Sequence, residues 1–124
     1  SGLIEADALA YDPDVHGERL LLRTGRTIAG GQFPDEWPCL SEACARTLLG
    51  RGLRLLGVDA PSVDPRTSKT LPVHHMLFSA NAYILENLDL RRVTPGPYEL
   101  IALPLKYMAL DAAPVRAVLR DTQG

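Results

Sequence analysis

The order of apolar and polar positions predicts short strands and helices that alternate along the first half of the chain. A leucine-rich run at residues 18–24 is typical of a strand buried on both faces. Ser41 is a suitable N-cap for a helix that continues to Leu49, and residues 53–58 form a second buried-strand pattern. Strand, loop, helix and strand in this order predict a right-handed crossover that joins two parallel strands.

The other elements are predicted from local signals. Residues 4–11 are compatible with a short helix that Asp12-Pro13 ends, and the glycines and prolines of residues 30–38 indicate a loop. Three further strands are predicted, with a Pro-Gly-Pro turn at residues 95–97 between the first two, at residues 83–88, 98–104 and 115–120.

Composition limits the class of protein. The length of 124 residues suits one domain over residues 1–124, and 46% hydrophobic residues supply enough apolar material for a packed core. The charge of −2 comes without a block of Lys or Arg, which argues against nucleic acid as a partner. The apolar runs are far shorter than the roughly 20 residues of a membrane span, so membrane insertion is not expected.

The two cysteines indicate a cytoplasmic protein. The spacing of Cys39 and Cys44 matches neither a redox pair nor a zinc knuckle, so we expect reduced thiols. The chain begins without a signal-peptide pattern and without Met, so Ser1 is interpreted as a cut boundary.

Side chains that bind metals are concentrated in His74, His75 and Glu86, with Asp59 and Asp64 upstream. Imidazole and carboxylate together suit zinc or a similar divalent ion. Structural interpretations stay open for each residue. The histidines could form a surface pair, Glu86 could lie on the solvent face of a strand, and the aspartates could bond the backbone of a turn.

Convergence of His74 and Glu86 requires a break between them. One straight helix over residues 74–86 would separate the two by about 18 Å along its axis. A short helix that begins near His74 and turns near Asn81 into a strand carrying Glu86 would bring them together. The β-favouring residues 83–85 support that break. Adjacent histidines diverge by about 100° on a helix, so at most one points at a given ion.

Other chemistries have little support. A serine hydrolase would need Ser62, Ser68 or Ser79 as nucleophile, but no Gly-x-Ser-x-Gly elbow occurs. No glycine-rich phosphate loop is present, and His16 is assigned no role.

Several ordered blocks resemble the bacterial kynurenine formamidase group, within the metal-dependent cyclase-like amidohydrolase family. They are GVDAPSVD (57–64), SKT (68–70), HHMLFSANAYILE (74–86), YELIALPLK (98–106) and DAAPVRAVLR (111–120). The resemblance implies an α/β fold of the swivelling β/β/α type, with a mixed sheet and short helices, and a homodimer.

The resemblance also implies a chemistry. Family members hold one or two divalent ions, typically zinc, and hydrolyse amides, here N-formylkynurenine to kynurenine and formate in tryptophan breakdown. By motif position, His74 corresponds to the family's late histidine ligand and Glu86 to its late carboxylate ligand. His75 is not expected to be the primary donor, and the resemblance assigns no role to Asp59 or Asp64.

The chain departs from the family pattern in one large respect. The early His-x-Gly-Thr-His-x-Asp-x-Pro motif, which supplies the other ligands and a proton-transferring histidine, is absent. The chain is therefore expected to be the C-terminal portion of a family member. Alone it should be inactive, because the N-terminal remainder or a second chain would have to complete the site. Alternatives are a hydrolase of another aryl or cyclic amide, and a non-catalytic interaction module.

Overall fold

The computed structural model describes residues 2–104 and 113–122 as a mixed α/β arrangement of short elements, which confirms the predicted α/β class. The elements are β1 (Leu3–Ile4), a 3₁₀ turn (Ala6–Ala8), α1 (Pro13–His16), β2 (Arg19–Leu22), a 3₁₀ turn (Ile28–Gly30), β3 (Cys39–Leu40), α2 (Glu42–Gly50), β4 (Leu55–Val58), α3 (Pro72–Ser79), β5 (Tyr83–Leu85), β6 (Tyr98–Pro104) and β7 (Val115–Asp121). Residues 105–112, which include parts of two sequence blocks quoted above, lie outside the described residues.

The chain divides into two compact units, Ser1–Arg92 and Val93–Gly124. Among the described residues, parallel and antiparallel strand pairs occur in three small sheets. The assignment of residues 1–124 to one domain of the cyclase type stays a prediction. Within the described residues, even the longest helices fall short of the length and apolarity that a membrane span needs.

A three-stranded parallel sheet forms the centre of the first unit. Its order is β2, β4, β5, with Leu22 opposite Val58 and Leu56 opposite Ile84. The predicted parallel pairing of the strands on either side of α2 is confirmed. Gly57 lies in the central strand, where a Cβ atom would collide with the side chains of Leu21 and Leu88. A larger residue at this position would force the ends of these two leucine side chains to move.

Helix α2 begins and packs as its sequence predicts. The Ser41 hydroxyl accepts a hydrogen bond from the Cys44 backbone N–H at 2.9 Å, a cap that contributes about 1 kcal/mol. Three residues at helical spacing, Cys44, Ala45 and Leu48, are buried on one face. This face joins the core that covers the sheet, which includes Leu56 and Leu77.

The predicted fold-back after α3 is confirmed. The helix ends at Ser79, Asn81 adopts a left-handed conformation with φ of 58°, and β5 begins at Tyr83. Asparagine tolerates this conformation better than most residues. The strand is shorter than the predicted range of residues 83–88. It ends at Leu85, and Glu86 lies immediately beyond it.

Three expectations for the N-terminal region are wrong. The helix predicted over residues 4–11 is replaced by β1, which pairs with β3, and a 3₁₀ turn. The Asp12-Pro13 pair begins a helix instead of ending one, because the Asp12 carboxylate accepts from the Asp14 N–H and proline suits the first helical position. Strand β2 is not buried on both faces, since it lies at an edge of its sheet and its leucines are only half-buried.

The second unit contains an antiparallel ribbon of β6 and β7. Both strands lie within a residue of their predicted limits, and their register runs from Tyr98 opposite Asp121 to Pro104 opposite Val115. The predicted turn is a bend at Pro95 and Gly96 just before β6. Apolar side chains on the ribbon are largely exposed, as Leu103 and Val118 show.

Candidate metal centre

The loop that follows β4 carries two buried carboxylates, Asp59 at its start and Asp64 five residues further along. It lies at the carboxyl end of the central parallel strand, where ligand sites in α/β sheets tend to occur. The two side chains have different partners, and this difference separates a structural role from a role at the candidate site.

Asp59 fixes the neighbouring strand end. Its Oδ1 accepts from the Thr24 backbone N–H at 2.8 Å and from the Thr24 hydroxyl at 2.6 Å, and its Oδ2 accepts from the Gly25 N–H at 2.9 Å. Every hydrogen-bond partner of this carboxylate among the described residues lies just after β2. We therefore assign Asp59 to the loop architecture.

His74 is held between two carboxylates. Its Nδ1 lies 2.7 Å from Asp64 Oδ2, and its Nε2 lies 2.8 Å from Glu86 Oε2. The fold-back thus brings together the imidazole and the carboxylate that were singled out from the sequence. Their role as metal ligands stays a prediction.

Glu86 is positioned by the same acidic loop. Its Oε2 accepts a hydrogen bond from the Val63 backbone N–H at 2.9 Å, beside its contact with His74. The chain after it is fixed by two backbone hydrogen bonds, from the Asn87 N–H to the Ala60 carbonyl and from the Leu88 N–H to the Val58 carbonyl. The carboxylate is therefore aimed at the imidazole by one backbone contact to its own oxygen and by two backbone hydrogen bonds of the residues that follow.

Asp64 is the site residue that sequence reasoning could not assign. Its side chain is completely buried, and its Oδ1 accepts from the Val73 N–H at 2.9 Å. Its Oδ2 accepts from the His74 N–H at 2.9 Å and contacts the His74 ring. These partners lie nine and ten residues further along the chain, so no local spacing rule reveals the contact.

The charges around His74 favour its protonated form. Hydrogen bonding to Glu86 raises the pKa of His74 above its ordinary value, burial opposes this effect, and hydrogen bonding to Asp64 adds to it. A ring that carries both protons can donate to both carboxylates at once. Any cation bound at Nε2 must displace the proton on that atom.

The remaining candidates are placed away from this centre. His75 is exposed, as expected for the neighbour of an inward-pointing histidine. His16 accepts a hydrogen bond from the Asp12 N–H through Nδ1 and stacks on Tyr11. Both cysteines are buried free thiols, and burial raises the pKa of Cys39 to about 11. Such a thiol is a poor nucleophile at neutral pH.

A serine triad does not form around His74. Both ring nitrogens contact carboxylates. Ser62 accepts from the Asp64 N–H, and Ser68 accepts from the Leu71 N–H, so each hydroxyl serves a local turn. This arrangement is consistent with the sequence, which has no nucleophile elbow for a serine hydrolase.

The donor set fits part of a site for a divalent ion. Imidazole nitrogen and carboxylate oxygen are ligands that zinc accepts, and the second nitrogen of the ring already has the carboxylate partner typical of metal-binding histidines. The His74 and Glu86 side chains keep 16% and 28% of their surface exposed, so the pair is accessible. Among the described residues, no group of three or more His, Cys, Asp or Glu side chains is arranged to hold an ion. The pair is therefore an incomplete ligand set.

No protein-family model matches the chain. Curated relatives do match it. The chain is 45% identical over 119 residues to a kynurenine formamidase of Bordetella avium (strain 197N), which covers 96% of this chain and 57% of the relative. It is 52% identical over 103 residues to that of Bacillus mycoides (strain KBAB4), covering 83% of this chain and 49% of the relative. The chain is a homologue of the kynurenine formamidases.

A third kynurenine formamidase, from Geobacillus thermodenitrificans (strain NG80-2), is 49% identical over 108 residues, covering 86% of this chain and 52% of the relative. The resemblance predicted from the sequence is thus confirmed. The chain spans about half the length of the curated relatives it matches, which agrees with the expectation that it corresponds to one portion of such a protein.

Solved structures support the same relationship. One from Bacillus stearothermophilus, described as a predicted metal-dependent hydrolase, aligns with a TM-score of 0.78 at 34% identity, over 94% of this chain and 56% of its own. Another, described as a potential metal-dependent hydrolase with cyclase activity, aligns with a TM-score of 0.79 at 34% identity. The alignment covers 94% of this chain and 57% of the other. The chain therefore shares its fold with proteins described as metal-dependent hydrolases.

Proposed function

We propose that this chain forms part of a metal-dependent amide hydrolase that converts N-formylkynurenine to kynurenine and formate in tryptophan catabolism. The identity to three kynurenine formamidases supports the substrate, and the two structural neighbours support a divalent metal. Zinc is the ion we propose, since imidazole and carboxylate ligands suit it.

One observation carries the proposal. His74 Nε2 and Glu86 Oε2 converge within 2.8 Å, on side chains that remain partly accessible. Neighbouring surface residues easily make such a contact by chance. His74 and Glu86, however, are twelve positions apart in the chain. Here a helix, a left-handed Asn81 and a short strand are needed to bring them together.

Each side chain has a separate task in this proposal. His74 offers the Nε2 lone pair once its proton leaves, and Glu86 offers a negative oxygen that lowers the net charge of the centre. The Val63 N–H keeps the Glu86 carboxylate from turning away. An ion held by this pair would supply Lewis acidity, which activates water and polarises an amide carbonyl.

The proposed site extends beyond the residues described. Catalytic zinc sites use three protein ligands, and this pair provides two. We propose that the N-terminal remainder of the protein, or a second chain, supplies the others, and that the complete enzyme is a cytoplasmic homodimer. The chain alone is then inactive.

A chimera tests the proposal. This chain replaces the matching segment of the Bordetella avium kynurenine formamidase, and the hydrolysis of N-formylkynurenine is followed by the appearance of kynurenine. We expect turnover and a stoichiometric content of divalent metal. The 124-residue chain alone is the control and should show no turnover.

Two other outcomes decide between the alternatives. A folded, metal-loaded chimera that cleaves other aryl or cyclic amides but not N-formylkynurenine would assign the chain to a hydrolase of different specificity. A folded chimera without metal and without turnover of any amide would favour a non-catalytic interaction module.

A further inference from the structure

We propose that Asp64 is a positioning residue that holds the His74 ring so that Nε2, and not Nδ1, faces Glu86. The inference rests on the proposed function, because it assigns the metal-facing nitrogen of a proposed ligand. It adds a residue to the site for which neither the sequence pattern nor the resemblance gave a role.

The geometry of the carboxylate carries this inference. Asp64 Oδ2 contacts both the backbone N–H and the ring Nδ1 of His74, at 2.9 and 2.7 Å. Its Oδ1 accepts from the preceding backbone N–H, that of Val73, at 2.9 Å. One side chain therefore holds the backbone and the ring of the same residue, which fixes the direction of the imidazole relative to α3.

Asp64 is itself held in place. Its backbone carbonyl accepts from the buried Trp37 indole at 3.0 Å, and its N–H donates to the Ser62 hydroxyl at 3.0 Å. The complete burial of its side chain excludes water as a competing partner. The carboxylate thus has one arrangement available, and the ring that it contacts is constrained in turn.

The consequence concerns the tautomer. Both ring nitrogens face a carboxylate, but the contact of Nδ1 with Asp64 is the shorter, at 2.7 against 2.8 Å, and only the Asp64 side chain is completely buried. The neutral ring therefore keeps its proton on Nδ1, and its lone pair is then on Nε2. Nε2 is the nitrogen that lies next to Glu86. Without Asp64, the ring could rotate or carry its proton on Nε2, and either change would remove the ligand from the pair.

Asp59 provides a matched control. It is a second buried aspartate in the same loop, but its carboxylate is bonded to Thr24 and Gly25 instead of a histidine. Asp59→Asn and Asp64→Asn remove the same charge with little change in volume. A purely structural role of Asp64 predicts similar effects of the two substitutions on the His74 ring.

The first experiment uses the metal-free 124-residue chain with ¹⁵N-labelled histidine. At alkaline pH, where the ring is neutral, we expect the His74 proton on Nδ1 in the unsubstituted chain and in Asp59→Asn. In Asp64→Asn the proton should shift partly or wholly to Nε2. An unsubstituted chain with the proton on Nε2 would overturn the inference, and this measurement does not depend on the folding of any variant.

The second experiment measures zinc affinity in the chimera. Loss of an outer-shell carboxylate typically weakens metal binding about 10- to 100-fold, so we expect this range for Asp64→Asn and a smaller loss for Asp59→Asn. Equal affinities in the two variants would overturn the positioning role. If His74→Ala retains full zinc affinity, the proposed function fails instead, and the tautomer measurement still decides the role of Asp64.

Discussion

The segment from β4 to Glu86 and the ribbon of β6 and β7 are stabilised in different ways. In the first, Leu56, Leu77 and the Asp64 side chain are completely buried, and each polar contact of the candidate centre is made to another ordered group. In the ribbon, backbone pairing is accompanied by exposed apolar side chains and by an exposed ion pair between Arg120 and Glu99.

This difference predicts how strongly substitutions affect each region. A buried polar group must find its partners within the fold, so the contacts of Asp64 and His74 specify one arrangement. An exposed ion pair contributes little, and a two-stranded ribbon is only marginally stable on its own in water. We therefore expect substitutions between β4 and Glu86 to have large effects, and substitutions on the ribbon to have small ones.

The largest effect is expected at the proposed ligands. His74→Ala and Glu86→Ala in the chimera should each reduce zinc affinity by more than the roughly 100-fold upper range for an outer-shell partner. His75→Ala is the matched control and should change it little, because this side chain is exposed. Metal content after dialysis and titration calorimetry provide the measurement, and equal zinc occupancy in all three variants would refute the assignment.

The next effect concerns the core beneath the site. Leu77→Ala should destabilise the chain by about 2–5 kcal/mol in urea unfolding, since the side chain is fully buried and its loss leaves a cavity. Phe78→Ala is the control on the same helix, because 57% of that residue is exposed. Similar losses of stability for the two variants would break the distinction between the buried and exposed faces of α3.

A pH effect of intermediate size follows from the raised pKa of His74. The folded chain binds the His74 proton more tightly than the unfolded chain, so this group stabilises the fold fully below its ordinary pKa of 6.5. The contribution is lost as the pH rises through the folded-state pKa, which lies above that value. In metal-free protein with a chelator, the free energy of unfolding should fall over this range.

The same pH series with His74→Gln isolates this contribution. The decrease above the ordinary histidine pKa should be smaller in the variant than in the unsubstituted chain. Parallel curves for the two proteins would show that His74 does not gain its carboxylate partners on folding.

The smallest effect is expected on the ribbon. Val118→Ala should change the stability of the 124-residue chain by no more than about 0.5 kcal/mol, because 44% of Val118 is exposed. Urea unfolding of the chain measures this directly. A loss as large as that of Leu77→Ala would show that the ribbon is covered in solution and would remove the contrast between the two regions.

Sequence reasoning predicted those parts of the site that depend on local signals. The fold-back between His74 and Glu86 follows from helix-forming residues, a left-handed Asn81 and a β-favouring segment, which act over a few positions. The cap at Ser41 and the limits of the ribbon are equally local.

The parts that failed depend on tertiary contacts. The partners of Asp59 are 34 and 35 residues away, and those of Asp64 are backbone and ring atoms nine and ten residues away, at the start of α3. Asp12-Pro13 could end one helix or begin another, and only the Asp12 hydrogen bond to the Asp14 N–H decides. The burial of β2 depends on its position at the edge of the sheet, and the sequence of that strand alone does not determine this position.

A crystal structure of the zinc-loaded chimera, with anomalous scattering to locate the metal, tests the central claim most directly. We predict an ion bonded to Nε2 of His74 and to a carboxylate oxygen of Glu86, with Asp64 still on Nδ1. An ion bonded through Nδ1, or bound at a place where neither side chain contacts it, would contradict the account.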